Sequence, residues 1–271
     1  MSKPETISTT ISADVSGTAV PVETKIGERH LDLKAMTDAR VSLGRFGSGL
    51  PTKAQLSFLL DHARAREAVW TAADGEGLQS RFAALGLGVV AVESLAPERS
   101  VYVRRPDLGR QISERSQAAL GEVTSTADVV IVVADGLSSS AVDINAVPLV
   151  EAIATRLGAI GLSLAPVVIA AQARVALADP VAEALGAKIS IMLIGERPGL
   201  SAADSLGAYI TFGPKSGTPD SRRNCISNIR DGGMAIPVAA DAIVALLRDM
   251  LRTGISGVAL KDAAARLGDG R

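Results

Sequence analysis

Few residues in this sequence have the chemistry to act as nucleophile, base or metal ligand, and they are scattered. Cysteine occurs once, at Cys225, and histidine twice, at His30 and His62. A thiol nucleophile needs a base beside it. Neither histidine neighbours Cys225 in sequence, so a Cys/His couple rests on spatial proximity alone, and a single Cys among apolar neighbours reads first as a packing residue. His62, next to Arg64 and Arg66, reads as a packing or surface residue on a helix. One cysteine makes neither an internal disulfide nor a multi-thiolate zinc site, which fits a reducing compartment. With no H-E-x-x-H and no Cys/His cluster, neither a protein-ligated metal nor a catalytic side chain is expected in this chain.

Three loops are better placed for binding. Asp135-Gly136-Leu137-Ser138-Ser139, Gly195-Glu196-Arg197-Pro198-Gly199 and Gln172 to Ala176 each follow an apolar, β-branched run. In open α/β sheets ligands bind beyond the carboxyl ends of the strands, so these loops can converge on one ligand. The helix predicted after Ser138 would offer free N–H groups to a phosphate or amide oxygen. Loops of this composition also serve as ordinary turns, and composition does not separate the two readings. There is no Gly-Lys phosphate loop and no G-x-G-x-x-G after a strand. Gly86-x-Gly88 precedes its strand and reads as a turn. Plain NAD or ATP binding is therefore disfavoured.

The elements that must hold these loops are legible from periodicity. Thr52 and Gln55 stand at capping-box spacing ahead of Leu56, Leu59, Leu60, Ala63 and Trp70, which predicts a long amphipathic helix. From about residue 86, β-branched runs alternate with alanine-rich helical stretches, the pattern of parallel strands with crossover helices. The predicted strands are 88–93, 128–134, 167–171 and 189–194. Predicted helices cover 106–120, 139–157 despite Pro148, 178–185, and 237–252 with Gly254 as stop. The expected architecture is α/β, an open and mostly parallel Rossmann-like sheet with flanking helices. A flexible tail (1–30) and a helical N-terminal segment (31–85) precede this α/β domain (86–271).

Bulk properties narrow the partners. The 271 residues are 47% hydrophobic, enough for a sizeable core, and 28 basic against 29 acidic residues give a net charge of −1. No basic surplus exists to attract nucleic acid or anionic lipid. Apolar runs such as 129–134 and 165–171 fall far short of the roughly 20 residues of a membrane helix. The Ser- and Thr-rich first 25 residues lack the charged start and apolar core of a signal peptide.

Taken together, six motifs resemble one family in that family's order. They are Leu43-Gly44-Arg45 through Leu50-Pro51-Thr52; Asp61-His62-Ala63-Arg64-Ala65-Arg66; Arg105-Pro106-Asp107-Leu108-Gly109-Arg110; Ala134-Asp135-Gly136-Leu137-Ser138; Gly195-Glu196-Arg197-Pro198-Gly199-Leu200; and Asn224-Cys225-Ile226-Ser227-Asn228-Ile229. The sequence is similar in this way to the small chain of ethanolamine ammonia-lyase, over all but the tail before about residue 30 and the last few residues.

That resemblance implies a hetero-oligomer with several copies of this chain and of a larger barrel subunit, with adenosylcobalamin at the interface. It also implies that the large chain holds the substrate. Cofactor contacts would fall here to Val175, Glu196 and Cys225, with Ser138 and Asn228 as candidate neighbours. Homolysis of the cobalt–carbon bond would start a radical conversion of ethanolamine to acetaldehyde and ammonia. Neither histidine sits in the D-x-H-x-x-G context that replaces the cofactor's own base, so base-on binding is expected, with Cys225 packing against the cofactor and not reacting. The alternatives are a noncatalytic cobalamin-binding or scaffold protein and an independent nucleotide-using α/β enzyme. Cytosolic residence is expected. Enclosure in a bacterial microcompartment is known for the family, although the tail forms no obvious amphipathic helix.

Overall fold

The computed structural model describes residues 25–26, 29–30, 33–37, 39–41, 43–45, 47–123 and 125–268. It divides into two compact units, residues 1–60 and 61–271. Apart from residues 25–26 and 29–30, the expected tail lies outside the described residues. In the first unit β1 (Lys25–Ile26) and β2 (Arg29–His30) pair antiparallel, followed by α1 (Leu33–Met36) and the start of α2 (Thr52–Trp70). The long helix forms where periodicity placed it, and Pro51 contributes the carbonyl that accepts the Gln55 N–H at 3.0 Å. Its apolar stripe is not core, however. Leu56, Leu59, Leu60 and Trp70 are each half exposed or more, and only Ala68 is buried.

The second unit holds α3 (Gly75–Ala84), β3 (Val89–Glu93), α4 (Arg99–Arg104), α5 (Glu114–Gly121), β4 (Val129–Ala134), α6 (Ser139–Ala159), β5 (Val167–Ala171), α7 (Ala178–Ala184), β6 (Ile189–Gly195), β7 (Leu206–Phe212), β8 (Asn224–Ile229), α8 (Ile236–Thr253) and α9 (Leu260–Gly268). Six strands form one sheet in the order β3-β5-β4-β6-β7-β8. The first four run parallel, whereas β7 and β8 join antiparallel. The expected mostly parallel, Rossmann-like sheet is thus corrected to a mixed one. Residues 196–205 and 213–223 contain no α-helix. Without a crossover helix the chain turns back and pairs antiparallel.

All six residues of β4 are buried, because helices cover both faces of the parallel part. Val129, Ile131 and Val133 face a core shared with α3, α6 and α8. Val130, Val132 and Ala134 face a second core with Leu120 of α5 and Val181 of α7. The helix α6 continues through Pro148. An interior proline costs about 3 kcal/mol, which burial of Leu149, Val150, Ile153 and Leu157 exceeds at roughly 1.5–3 kcal/mol per side chain. The helix expected over 106–120 is divided instead. A 3₁₀ turn covers Leu108–Arg110, Ile112 bridges to Ser94, and Ser113 caps α5 by accepting the Ser116 N–H at 3.2 Å. The helix α8 ends as expected at Gly254, whose φ of 69° is the left-handed stop.

Candidate functional site

Beyond the carboxyl ends of the parallel strands, two of the three loops close on each other. Gly136 and Gly195 make this possible. A Cβ on Gly136 would lie 2.3 Å from the Gly195 carbonyl oxygen, and one on Gly195 would lie 2.0 Å from that of Ser138. Leu137 N–H donates to Gly195 O at 2.9 Å. Ser138 is fully buried, and its hydroxyl caps α6 at the Ala141 N–H while donating to Ala203 O at 2.6 Å. Ser138 is therefore committed to the fold, and its hydroxyl takes up one of the N–H groups expected to be free at the start of α6.

The open space lies to the side, where the loop after β5 faces the antiparallel strands. A cavity of about 370 Å³ is lined by Pro106 and Arg110, by Arg174, Val175 and Ala176, by Tyr209 on β7, and by Asp220, Arg223 and Cys225 at the start of β8. Val175 and Cys225, 50 positions apart, are thus brought to one cavity. Cys225 is exposed, contrary to the reading of a packed core thiol. Tyr209 stands opposite it in register on the neighbouring strand. Burial, opposed by the Tyr209 hydroxyl and reinforced by the Glu196 charge, pushes the thiol above its usual range. The Tyr209 phenol is pushed up to about 12, by burial first and then by Cys225 and Glu196. Both groups are neutral at ordinary pH.

Glu196 does not line the cavity, but its charge reaches both of these residues. Its Oε2 accepts from the Ser205 hydroxyl at 2.5 Å and from the Asn228 N–H at 3.2 Å. Gly207 makes room for it, since a Cβ there would stand 3.0 Å from Glu196 Oε1. Asn228 holds a left-handed φ of 59°, and its side-chain oxygen accepts from Arg230 Nε at 2.9 Å. It is exposed, and its contact with Glu196 is through the backbone.

The walls are built from arginines that sequence reasoning passed over. Arg223, 3% exposed, makes two 2.7 Å bonds to Asp179, and its Nε bonds Asp220 at 3.2 Å. Tyr102 lies between two guanidinium groups, Arg99 at 4.8 Å and Arg174 at 4.4 Å from its ring centre, and donates to Ala173 O at 2.8 Å. Arg99 pairs with buried Asp135 at 2.8 Å. Burial pushes that carboxyl up, opposed by Arg99 and by backbone N–H groups. Asp135 also accepts the Ala173 N–H at 3.3 Å, so the first loop fixes the loop that presents Arg174 and Val175. The available signal was an arginine directly after a strand in Gln172-Ala173-Arg174-Val175. Tyr209 gave none, because β7 was not recognised as a strand.

The fold is α/β, and its cavity is edged by guanidinium groups, a phenol and a thiol, with no nucleophile–base pair among the described lining residues. Comparison with known proteins gives the family. The profile described as ethanolamine ammonia-lyase light chain (EutC) matches residues 27–261. An ethanolamine ammonia-lyase small subunit from Bradyrhizobium diazoefficiens is 49% identical over 237 residues, covering 87% of this chain and 91% of the relative. Those from Pseudomonas putida strain GB-1 (48%, 86% of this chain and 88% of the relative) and Ralstonia nicotianae (45%, 86% and 87%) are similar over the same extent. The chain belongs to the ethanolamine ammonia-lyase light-chain family, the smaller component of a two-subunit ammonia-lyase.

Proposed function

We propose that this chain is the small subunit of an adenosylcobalamin-dependent ethanolamine ammonia-lyase, and that the cavity between Val175 and Cys225 is its share of the cobalamin site. The observation behind this reading is the meeting of Val175 and Cys225 at one cavity, with Glu196 close enough to shift the Cys225 thiol. The cavity residues all fall within 86–271, which we take as the cobalamin-binding domain.

The residues present fit the cofactor. Val175 and Ala176 offer apolar contact to its periphery. Glu196 Oε2 is held by Ser205 and Asn228, while Oε1 is left to accept an amide N–H. Such pairing is what a partly desolvated carboxylate needs beside neutral amides. In this reading the cofactor retains its own lower base. The bound cofactor supplies the radical chemistry that converts ethanolamine to acetaldehyde and ammonia. This chain's residues bind and orient it, and neutral Cys225 and Tyr209 add neither acid nor base.

Relatives named as small subunits imply a large-subunit partner, to which we assign the barrel and the substrate site, in a complex with several copies of each chain. Among the described residues no helix is long and apolar enough to cross a membrane. We place the complex in the cytosol, with a microcompartment as the family's other setting. The test is acetaldehyde formation from ethanolamine and adenosylcobalamin by this chain, by the large chain, and by both together. Activity confined to the mixture supports the reading. An inactive mixture that still binds cofactor would favour a noncatalytic cobalamin-binding protein.

A further inference from the structure

Three guanidinium groups line the cavity, and two of them have no carboxylate partner among the described residues. Of its three guanidinium groups, Arg223 is neutralised by Asp179 at 2.7 Å and Asp220 at 3.2 Å. Asp107, the acid nearest in sequence to Arg110, is taken by a forked pair with Arg105 at 2.6 and 2.9 Å. Asp135, on the far side of Tyr102, is taken by Arg99. That leaves Arg110 and Arg174 facing the cavity with no carboxylate partner among the described residues. Arg174 is moreover placed with care. Its face stacks on Tyr102, its backbone N–H donates to Gly109 O at 2.7 Å, and its buried Nε has no hydrogen-bond partner. A Cβ on Gly109 would stand 2.8 Å from the Tyr102 ring and 2.9 Å from Arg174 Cγ, so only glycine there allows this seating. The next residue is Arg110. A stacked guanidinium keeps in-plane N–H groups for a ligand, and with a second guanidinium lining the same cavity these match the oxygens of a phosphate.

We propose that Arg110 and Arg174 form a phosphate subsite in this cavity, occupied by the phosphodiester of the cofactor's nucleotide loop. This rests on the cobalamin reading given above. Cobalamin has a single anionic group at its periphery, that phosphodiester, and this cavity presents two guanidinium groups without a carboxylate partner among the described residues. Tyr102 and Gly109 act as positioning residues for Arg174.

The experiment compares ligands that differ by the phosphate alone, adenosylcobinamide and adenosylcobinamide phosphate, by spectral titration of the complex of this chain with the large subunit. The phosphate should improve wild-type affinity about tenfold or more, the worth of a charge-assisted hydrogen bond, and the gain should shrink as salt is raised. In Arg174→Gln and in Arg110→Gln it should fall to less than about threefold, with cobinamide affinity unchanged. Arg110 is exposed, so its variant reports even where loss of the Tyr102 stack unfolds the Arg174 variant. A phosphate gain kept in full by Arg110→Gln overturns the subsite. So does inorganic phosphate that binds alongside saturating adenosylcobalamin in an Arg110-dependent way, since that makes it an independent anion site. A wild-type complex that binds neither corrinoid nor adenosylcobalamin defeats the cobalamin reading itself, which is a different failure from an unchanged phosphate gain.

Discussion

At Cys225 exposure and reactivity point in opposite directions. The thiol is open to solvent, yet burial of its surroundings and the Glu196 charge raise its pKa, and only the thiolate attacks. Because an acid with a raised pKa ionises late, alkylation by iodoacetamide should be slow at neutral pH and reach its half-maximal rate at a higher pH than in the unfolded chain. Saturating adenosylcobalamin should suppress the reaction in the assembled complex. The Cys225→Ala variant should weaken cofactor affinity and keep most turnover at saturating cofactor. A variant with unchanged affinity and no turnover would show instead that the thiol takes part in the chemistry. Cys225 was found through its motif, not through its surroundings. Nothing in the order of residues shows that Tyr209 lies across from it, or that Val175 closes the same cavity.

Strands written as apolar, β-branched runs were the legible elements. The runs at β3, β4, β5 and β6 are mostly apolar and β-branched, and the structure places strands at each. The strand β8, Asn224–Ile229, interleaves polar with apolar residues, and Leu206–Phe212 of β7 carries a glycine. Neither pattern stands out until the pairing with β6 is known, and the cavity wall depends on both. The parallel strands are also tied at their amino ends. Asp128, just before β4, accepts from the Ser163 N–H and hydroxyl at 3.1 and 2.8 Å and from Lys188 Nζ at 2.9 Å, so one carboxylate links the approaches to β4, β5 and β6. These partners pull its pKa from 3.8 to about 2. A depressed carboxylate stabilises the fold above its unfolded pKa, and that contribution is lost as pH falls through the folded value. Asp128→Asn should therefore lower unfolding stability by about 1 kcal/mol at neutral pH, a figure reduced for partial exposure. The gap between variant and wild type, followed by urea denaturation, should be about halved near pH 3. A gap that does not change with pH would assign the loss to geometry instead of charge.

On the scale of the whole molecule, the cavity is too small for the ligand assigned to it. Its volume is about 370 Å³, far less than a corrinoid occupies, and tight small-molecule sites bury roughly 70–90% of the ligand. On the cobalamin reading, this chain covers only one side of the cofactor, and the remaining coverage falls to the large subunit. It follows that adenosylcobalamin should bind this chain alone weakly, and bind the assembled pair at least about a hundredfold more tightly, a coupling of roughly 3 kcal/mol. The coupling is reciprocal, so saturating cofactor should tighten association of the two chains by the same factor. Sedimentation of the mixture with and without cofactor measures one side of this relation, and spectral titration of each chain and of the mixture measures the other. Equal affinity for the isolated chain and the complex would mean that the cavity is sufficient by itself, and the division of the cofactor between two walls would have to be abandoned.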